Sequence, residues 1–448
     1  MRIAIIGSGI AGLTASHLLQ KQGHEVHLFE SQSQIGMSAQ TIDFTSPQNE
    51  LSVCGDVPSR MFNGALWPSV LELYQSLGLE IATVDATQSY RGGDDESALQ
   101  FRMPFEWSNE IIKTASSSIL TLANSIGVRK GSAVRSSGDV SKNSYPISER
   151  RTHFLSEINR LRNQGLRDLR TLDPNTPFQE YLDRNSFSAE FRETFLFPAL
   201  SSTVCTCSHD AILNYPAVIL LDAMQHITGN QRLCRVEKGA RLVSQSLSEN
   251  VTVNLATPVE AVERGRDSVT LTTGEARLPY DHVVVATQAN QAARVCVDLE
   301  ESETAILDGF KYEDVDVIVH TDERFMPSSK SQWAVFNFAA SDQNHESMCT
   351  VWMNQFHMNW QNEGMNEPIF QTIRPIQKVR PDKLIRLAKL QRPLVSCGSW
   401  RLWQQLREIH RQRDRRIWFC GSYAMPGIPL LESAVKSATE ISNEISNV

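Results

Sequence analysis

The chain has 448 residues, 41% of them hydrophobic and 21% charged, and a formal net charge of −8. That length predicts two or three domains with ample core, and the acidic balance argues against nucleic acid and against an electrostatic membrane anchor. No apolar run reaches the ~18 residues of a membrane span, because the longest candidate, Ala217 to Leu221, is closed by Asp222. Peripheral membrane contact stays open. A strand beginning at residue 2 leaves no room for a leader, so the expected location is cytoplasmic.

The first thirty residues carry the strongest signal. Arg2 to Ile6 is a short apolar run of the kind buried on both faces of a parallel sheet. It enters Gly7-Ser8-Gly9-Ile10-Ala11-Gly12, a complete G-x-G-x-x-G, and Leu13 to Gln22 continues at helical spacing up to Gly23. A second strand, Glu25 to Phe29, ends on Glu30. In such a βαβ unit the first glycine makes the tight turn, the second admits a diphosphate and the third lets helix pack on strand. The helix N-terminus offers free N–H groups and partial positive charge. Glu30 stands where an acid accepts hydrogen bonds from a ribose, which favours FAD or NAD over NADP.

The eight cysteines contain no C-x-x-C pair. Cys205-Thr206-Cys207 is the one close pair; without a second ligand pair at zinc spacing it reads as small buried residues, and no metal site is expected.

Ser31-Gln32-Ser33-Gln34-Ile35-Gly36-Met37 follows Glu30. Here the chain resembles the FAD-dependent amine oxidase and phytoene desaturase superfamily, whose members place a Gly-Gly pair after the second strand. Met37 replaces the second glycine. Asp56-Val57-Pro58-Ser59-Arg60-Met61-Phe62 is similar to a D-x-x-x-R-x-F stretch of related proteins, and the resemblance implies that Arg60 and Met61 border the flavin; the alternative for Arg60 is a surface ion pair. Trp67 to Gly78 predicts a helix with Pro68 in the first turn and Gly78 as its stop.

A turn-rich break at Gly92 to Asp95 changes the organisation. Residues ~110 to ~230 look mainly helical, interrupted by a polar loop at Gly131 to Ser144, with helices expected over Glu149 to Leu172 and from Thr176. The resemblance makes this block a cap over the flavin. Val236 to Leu242 resembles the superfamily turn that returns the chain to the cofactor. By the same resemblance Val259 holds the adenine through its backbone, and Ala286 and Thr287 end a strand, Tyr280 to Val285, at the cofactor edge.

Between Phe310 and Ile376 alternation predicts strands at Val315 to His320, Trp333 to Phe338 and Cys349 to Asn354. Phe336, Phe338, Trp352 and Met353 are candidates for the pocket or for core. Arg416 to Tyr423, then Ala424 to Ala438, resembles the superfamily's C-terminal flavin motif. That likeness implies flavin contacts from Gly421, Ser422, Pro429, Leu430 and Leu431, the last opening a helix aimed at the ring.

The expected fold is α/β: a glutathione reductase-like Rossmann domain for FAD, residues 1–90, 235–300 and 391–448, with an inserted α+β cap of 91–234 and 301–390. The C-terminal motif separates FAD from NAD. The expected activity is hydride transfer from a hydrophobic, lipid- or isoprenoid-like substrate to flavin N5, as desaturation or double-bond isomerisation. A flavin amine oxidase is the alternative, with Tyr423 and Trp400 or Trp403 as flanking aromatics; a non-catalytic flavoprotein is a third. Catalytic residues are not identified beyond the pocket candidates Arg60, Trp352 and Tyr423, and the electron acceptor, O2 among the options, stays open.

Overall fold

The computed structural model describes residues 1–37, 41–45, 52–92, 100–103, 147–227, 233–341, 345–357, 360 and 364–447. The polar stretch Gly131 to Ser144, and the part of the mainly helical region expected before residue 147, lie outside these residues.

A five-stranded parallel sheet forms around the opening strand, in the order Thr252–Asn254, Glu25–Phe29, Arg2–Ile6, His282–Val285 and Ile417–Phe419. Ile3, Ala4 and Ile5 are fully buried, as the unbroken apolar run requires. Ile3 and Ile5 face the helices Ile10–Lys21 and Leu431–Ser446, and share a core with Leu13, Val435 and Ile441. Ala4 and Ile6 face the other way, onto an antiparallel meander of Ala261–Arg264, Val269–Thr273 and Ala276–Tyr280. Two faces, two covers: this is the Rossmann-type architecture expected.

The helix predicted from Trp67 spans Pro68–Ser76, with proline in its first turn and Gly78 at φ +67° behind it. That positive φ is the left-handed stop glycine adopts without strain. Its first amides are capped from afar, because Ser69 and Val70 N–H donate to the Glu432 carboxylate at 3.3 and 3.1 Å. Asp56 does the same for the helix Gly239–Leu247, accepting from Ala240 N–H at 2.9 Å. Neither cap is visible locally, since each carboxylate sits far from its helix in sequence.

The second large sheet has seven strands, ordered Leu384–Pro393, Tyr312–His320, Phe370–Ile373, Ser347–Trp352, Phe336–Ala340, Gln88–Arg91 and Gln100–Met103. Its inner face, with Val315, Val317, Phe338 and Val351, packs on a helical block that includes Ile147–Asp168, Phe178–Arg184 and Ala217–Ile227. Within that block Arg192–Leu196 and Leu200–Val204 are wound as π-helix. Gln88–Arg91 belongs to this sheet, although the sequence placed residues up to 90 with the cofactor. The strand expected through Asn354 ends at Trp352, and Met353–Phe356 is one helical turn. Asn354 explains the stop: its amide donates to the carbonyls of Met365 and Glu367 and its oxygen accepts from Ile369 N–H, fixing a return loop.

Candidate functional site

The glycine turn is as tight as the sequence demands. Gly7 has φ +96°, and a Cβ on Gly12 would lie 1.9 Å from Gly7 O. Gly9, by contrast, caps the helix Ile10–Lys21 with extended backbone and no side-chain hydrogen bond, and a Cβ there would meet nothing within 4 Å. The first amides of that helix therefore face open space. This is the arrangement an anionic diphosphate fits.

Glu30 is largely buried and organises the mouth of the turn. Its Oε2 accepts from Ser8 N–H at 3.0 Å and Ser8 Oγ–H at 2.5 Å. Its Oε1 accepts from Gln32 N–H at 2.9 Å and Ser31 Oγ–H at 3.2 Å. The Ser8 hydroxyl in turn accepts from Gly36 N–H at 2.6 Å, so Ser8 ties the first turn to the loop after the second strand. Ser31 makes the longest of these bonds and is exposed, which leaves it the most replaceable donor if a ribose hydroxyl approaches.

The remaining candidates converge on this rim. Thr257 N–H donates to Glu30 O and Ala256 N–H to Gln32 O, both at 2.8 Å, which draws the loop bearing Val259 beside the acid. Ala286 N–H donates to Ile6 O at 2.8 Å, and Thr287 Cγ2 lies 3.2 Å from where a Gly7 Cβ would stand. Cys420 N–H donates to Val285 O, so Gly421 and Ser422 follow directly beside Thr287, and the Ser437 hydroxyl bonds both Gly421 N–H and O at 3.0 Å. Pro429 and Leu430 then lead into the helix Leu431–Ser446, whose first turn carries no side-chain cap. Leu431, Met37, Arg60, Asp56 and Tyr74 line one small cavity of about 10 Å³, room for a single water. Met61, next to Arg60, packs on the larger core.

Two candidates behave differently. Trp352 sits in a separate cluster with Met326, Trp333 and Phe370, on the sheet face opposite Val351, and is not brought to this rim. Tyr423 adjoins Gly421 but is 3% exposed, edge-on to Phe310 at 5.0 Å, with a hydroxyl that finds no partner among the described residues. Trp403 donates to the Tyr423 carbonyl at 2.7 Å but packs edge-on to Trp400, and those two indoles line a cavity that Tyr423 does not reach.

Arg392 was not singled out by sequence. The strand Leu384–Pro393 is stitched to the cofactor edge, since Gln288 Nε2 donates to Gln391 O at 3.0 Å and Asn290 Nδ2 to Gln391 Oε1 at 3.2 Å. Alternation with Ala388 and Leu390 turns Arg392 onto the inner face, beside Cys205, Cys207 and Tyr215. Burial holds its guanidinium below the ordinary arginine range, and the nearby Arg60 charge pushes the same way. Glu313, directly across the strands, spends its carboxylate on Arg374 and Ser208. The Nε atoms of Arg60 and Arg392 are both buried without a hydrogen-bond partner among the described residues. Asp56 offsets Arg60, whereas no carboxylate among the described residues acts on Arg392, and a guanidinium drawn partly out of water beside another cation is costly.

Electrostatics elsewhere on the rim favour neutral forms. Burial raises the Asp56 carboxyl, partly offset by the Ala240 N–H and by Arg60. Burial pushes the Cys420 thiol up to about 12 and drops His357, stacked on Trp360, to about 3. No helix among the described residues is long and apolar enough to cross a membrane.

Known proteins fit this architecture. No curated protein sequence gives a significant match. A structure assigned provisionally as a protoporphyrinogen oxidase from Exiguobacterium sp. 255-15 superposes with TM-score 0.63 at 14% identity, covering 100% of this chain and 98% of that one. Putrescine oxidase bound to putrescine gives 0.62 at 14% identity, with 100% of each chain covered. Cyclohexylamine oxidase from Brevibacterium oxydans IH-35A gives 0.59 at 14%, with 99% of each covered. At that identity these likenesses establish the fold. The family model for flavin containing amine oxidoreductases matches residues 10–359, most of the chain. By that match the chain belongs to the flavin-containing amine oxidoreductase family and is an FAD-dependent oxidoreductase.

Proposed function

We propose that this enzyme takes a hydride from an apolar, lipid-like substrate that carries an anionic group. The supporting observation is Arg392, an inward, partly buried guanidinium beside the cofactor edge whose Nε finds no partner among the described residues, with Arg60 nearby sharing its charge with Asp56. FAD, when bound, supplies the hydride acceptor at N5. In this reading residues 7–12 hold its diphosphate, Glu30 and Ser31 its ribose and Val259 its adenine. Gly36, Met37, Arg60, Met61, Ala286, Thr287, Gly421, Ser422 and Pro429 to Leu431 border its flavin end. The cofactor unit follows the expected 1–90, 235–300 and 391–448, except that Gln88–Arg91 and the whole of Leu384–Pro393 join the sheet of the substrate unit formed by the intervening segments.

Arg392 binds the anionic group, ideally a carboxylate held by two parallel hydrogen bonds. Phe195, Leu196, Phe338 and Tyr90 supply apolar surroundings on the same side of the sheet and exclude water. The protein then orients the scissile C–H bond, the larger part of what such chemistry asks of it.

The second reading, a flavin amine oxidase for a primary or secondary amine, is favoured by the family description. A free ammonium meets two guanidiniums here. Arg392 repels it, and Arg60 does so less because Asp56 lies beside it. An amine that itself bears a carboxylate would escape that penalty.

Binding distinguishes these readings before turnover does. Titrating the oxidised holoenzyme with a long-chain fatty acid is expected to perturb the flavin spectrum, with binding weakened at least tenfold for the matching alcohol and for Arg392→Leu. Equal binding of acid and alcohol would sink the anionic anchor.

A further inference from the structure

Among the described residues seven large hydrophobic side chains are exposed, and three of them lie within four positions: Leu384, Ile385 and Leu387, at 38%, 44% and 44%. They occupy the start of the strand Leu384–Pro393, which is the outer edge of the seven-stranded sheet. The register shifts where this strand passes Val319 and His320, which leaves Ile385 outside the ladder. Apolar side chains gathered on an open edge expose surface that a folded chain ordinarily covers.

The surrounding charge is unlike the rest of the molecule. From Ile376 to Arg392 the chain carries six basic residues, Lys378, Arg380, Lys383, Arg386, Lys389 and Arg392, against one acid, Asp382, in a protein whose net charge is −8. Arg392 points inward to the site described above. Of the other five, Lys378, Arg380, Arg386 and Lys389 are exposed and Lys383 is partly so. Asp316 stands directly across from Lys389 and offsets it. Asp322 is committed to Arg324 and to Arg380 N–H. Arg386 also has an interaction partner, and with Asp382 and Asp316 set against the five outward basic residues the patch still keeps an excess of positive charge around an apolar centre.

We propose that this edge docks on an anionic lipid bilayer, with Leu384, Ile385 and Leu387 entering the interface and the flanking lysines and arginines meeting headgroups. An apolar centre ringed by Lys and Arg is the chemistry that holds a protein to such a surface without crossing it. A second copy is the poorer occupant, since pairing two such edges would bring like charges together. The same basic residues also discourage a neutral strand from adding to the edge. Docking here does not depend on which substrate the enzyme oxidises. The inner end of the same strand carries Arg392, so the surface and the site share one element.

Sedimentation of the FAD-loaded enzyme with vesicles tests this. Vesicles of phosphatidylcholine mixed with phosphatidylglycerol are expected to bring the protein down, phosphatidylcholine alone much less so, and high salt is expected to release it. The triple variant Leu384→Ser, Ile385→Ser and Leu387→Ser is expected to lose at least tenfold in binding while keeping its flavin spectrum and melting temperature. The double variant Lys383→Glu and Lys389→Glu is expected to lose the preference for the anionic lipid. Binding to neither vesicle, or equal sedimentation of wild type and both variants, overturns the proposal. So does a wild type that runs as a dimer, becomes a monomer in the triple variant and ignores both vesicles, because the occupant is then a second copy.

Discussion

The two sheets differ in how they keep their charges. Around the parallel sheet the acids are spent, since Glu30 accepts four hydrogen bonds and Asp56 and Glu432 cap helices, while Arg60 lies beside Asp56 and the other open positions are backbone amides. At the inner end of the seven-stranded sheet the Arg392 Nε is left without a hydrogen-bond partner among the described residues. A cofactor site that is always filled can be built from neutral dipoles in advance. A substrate site must leave something unfinished, and Arg392 is what this one leaves.

The largest effect expected on the cofactor side separates two glycines of one motif. Gly12→Ala forces a Cβ against Gly7 O; that overpacking costs ~3 kcal/mol or more in the apoprotein and prevents flavin retention. Gly9→Ala meets open space at an ordinary φ, so denaturant unfolding of the apoprotein is expected to be unchanged while FAD occupancy falls. If Gly9→Ala destabilises the apoprotein as much as Gly12→Ala, the open helix terminus is misread.

Acid acts on both sheets. Burial drops His357, on the substrate side, and His410, which accepts from Phe419 N–H on the cofactor side, to about 3. Their unfolded forms titrate near 6.5, so below that pH the unfolded chain binds protons the native state refuses, and stability falls. At pH 5 each contributes a loss of about 2 kcal/mol. A melting temperature that falls between pH 7 and 5 in wild type and falls less in His357→Phe checks the sign; a rise would contradict it.

Smaller effects sharpen the contrast further. Glu432→Ala removes the acceptor for Ser69 and Val70 N–H and is expected to cost ~1 kcal/mol, the scale of a lost helix cap. Arg392→Leu removes a buried charge without a partner, so thermal stability is expected to hold or rise slightly even as anion binding is lost. A marked fall in stability would mean that Arg392 is structural.

The cofactor half was legible because its signals are local. Thirty consecutive residues carry the strand, glycine turn, helix and acid, and Gly78 and Pro68 mark a helix by their own backbone limits. In the substrate half alternation marked three strands, around Val315 to His320, Phe336 to Phe338 and Cys349 to Trp352, but not their assembly, because that sheet gathers strands from Gln88 to Pro393. Leu384 to Pro393 shows why. Its first apolar residues, Leu384, Ile385 and Leu387, face solvent, and its inner face from Ala388 ends on the charged Arg392, so the strand does not read as one with a buried face. Trp352 illustrates another limit of pattern: alternation marks it as a strand residue, while the face it takes, with Met326, Trp333 and Phe370, is set by tertiary packing. The net charge of −8 likewise concealed the basic edge, since a sum has no position.

The most direct test of the account is anaerobic reduction of the bound flavin followed by its absorbance. An unsaturated fatty acid is expected to bleach the wild-type enzyme rapidly, its methyl ester far more slowly, and Arg392→Leu is expected to lose the distinction between them. Rapid bleaching by simple aliphatic amines, with none by the acid, would contradict the account and return the enzyme to amine oxidation.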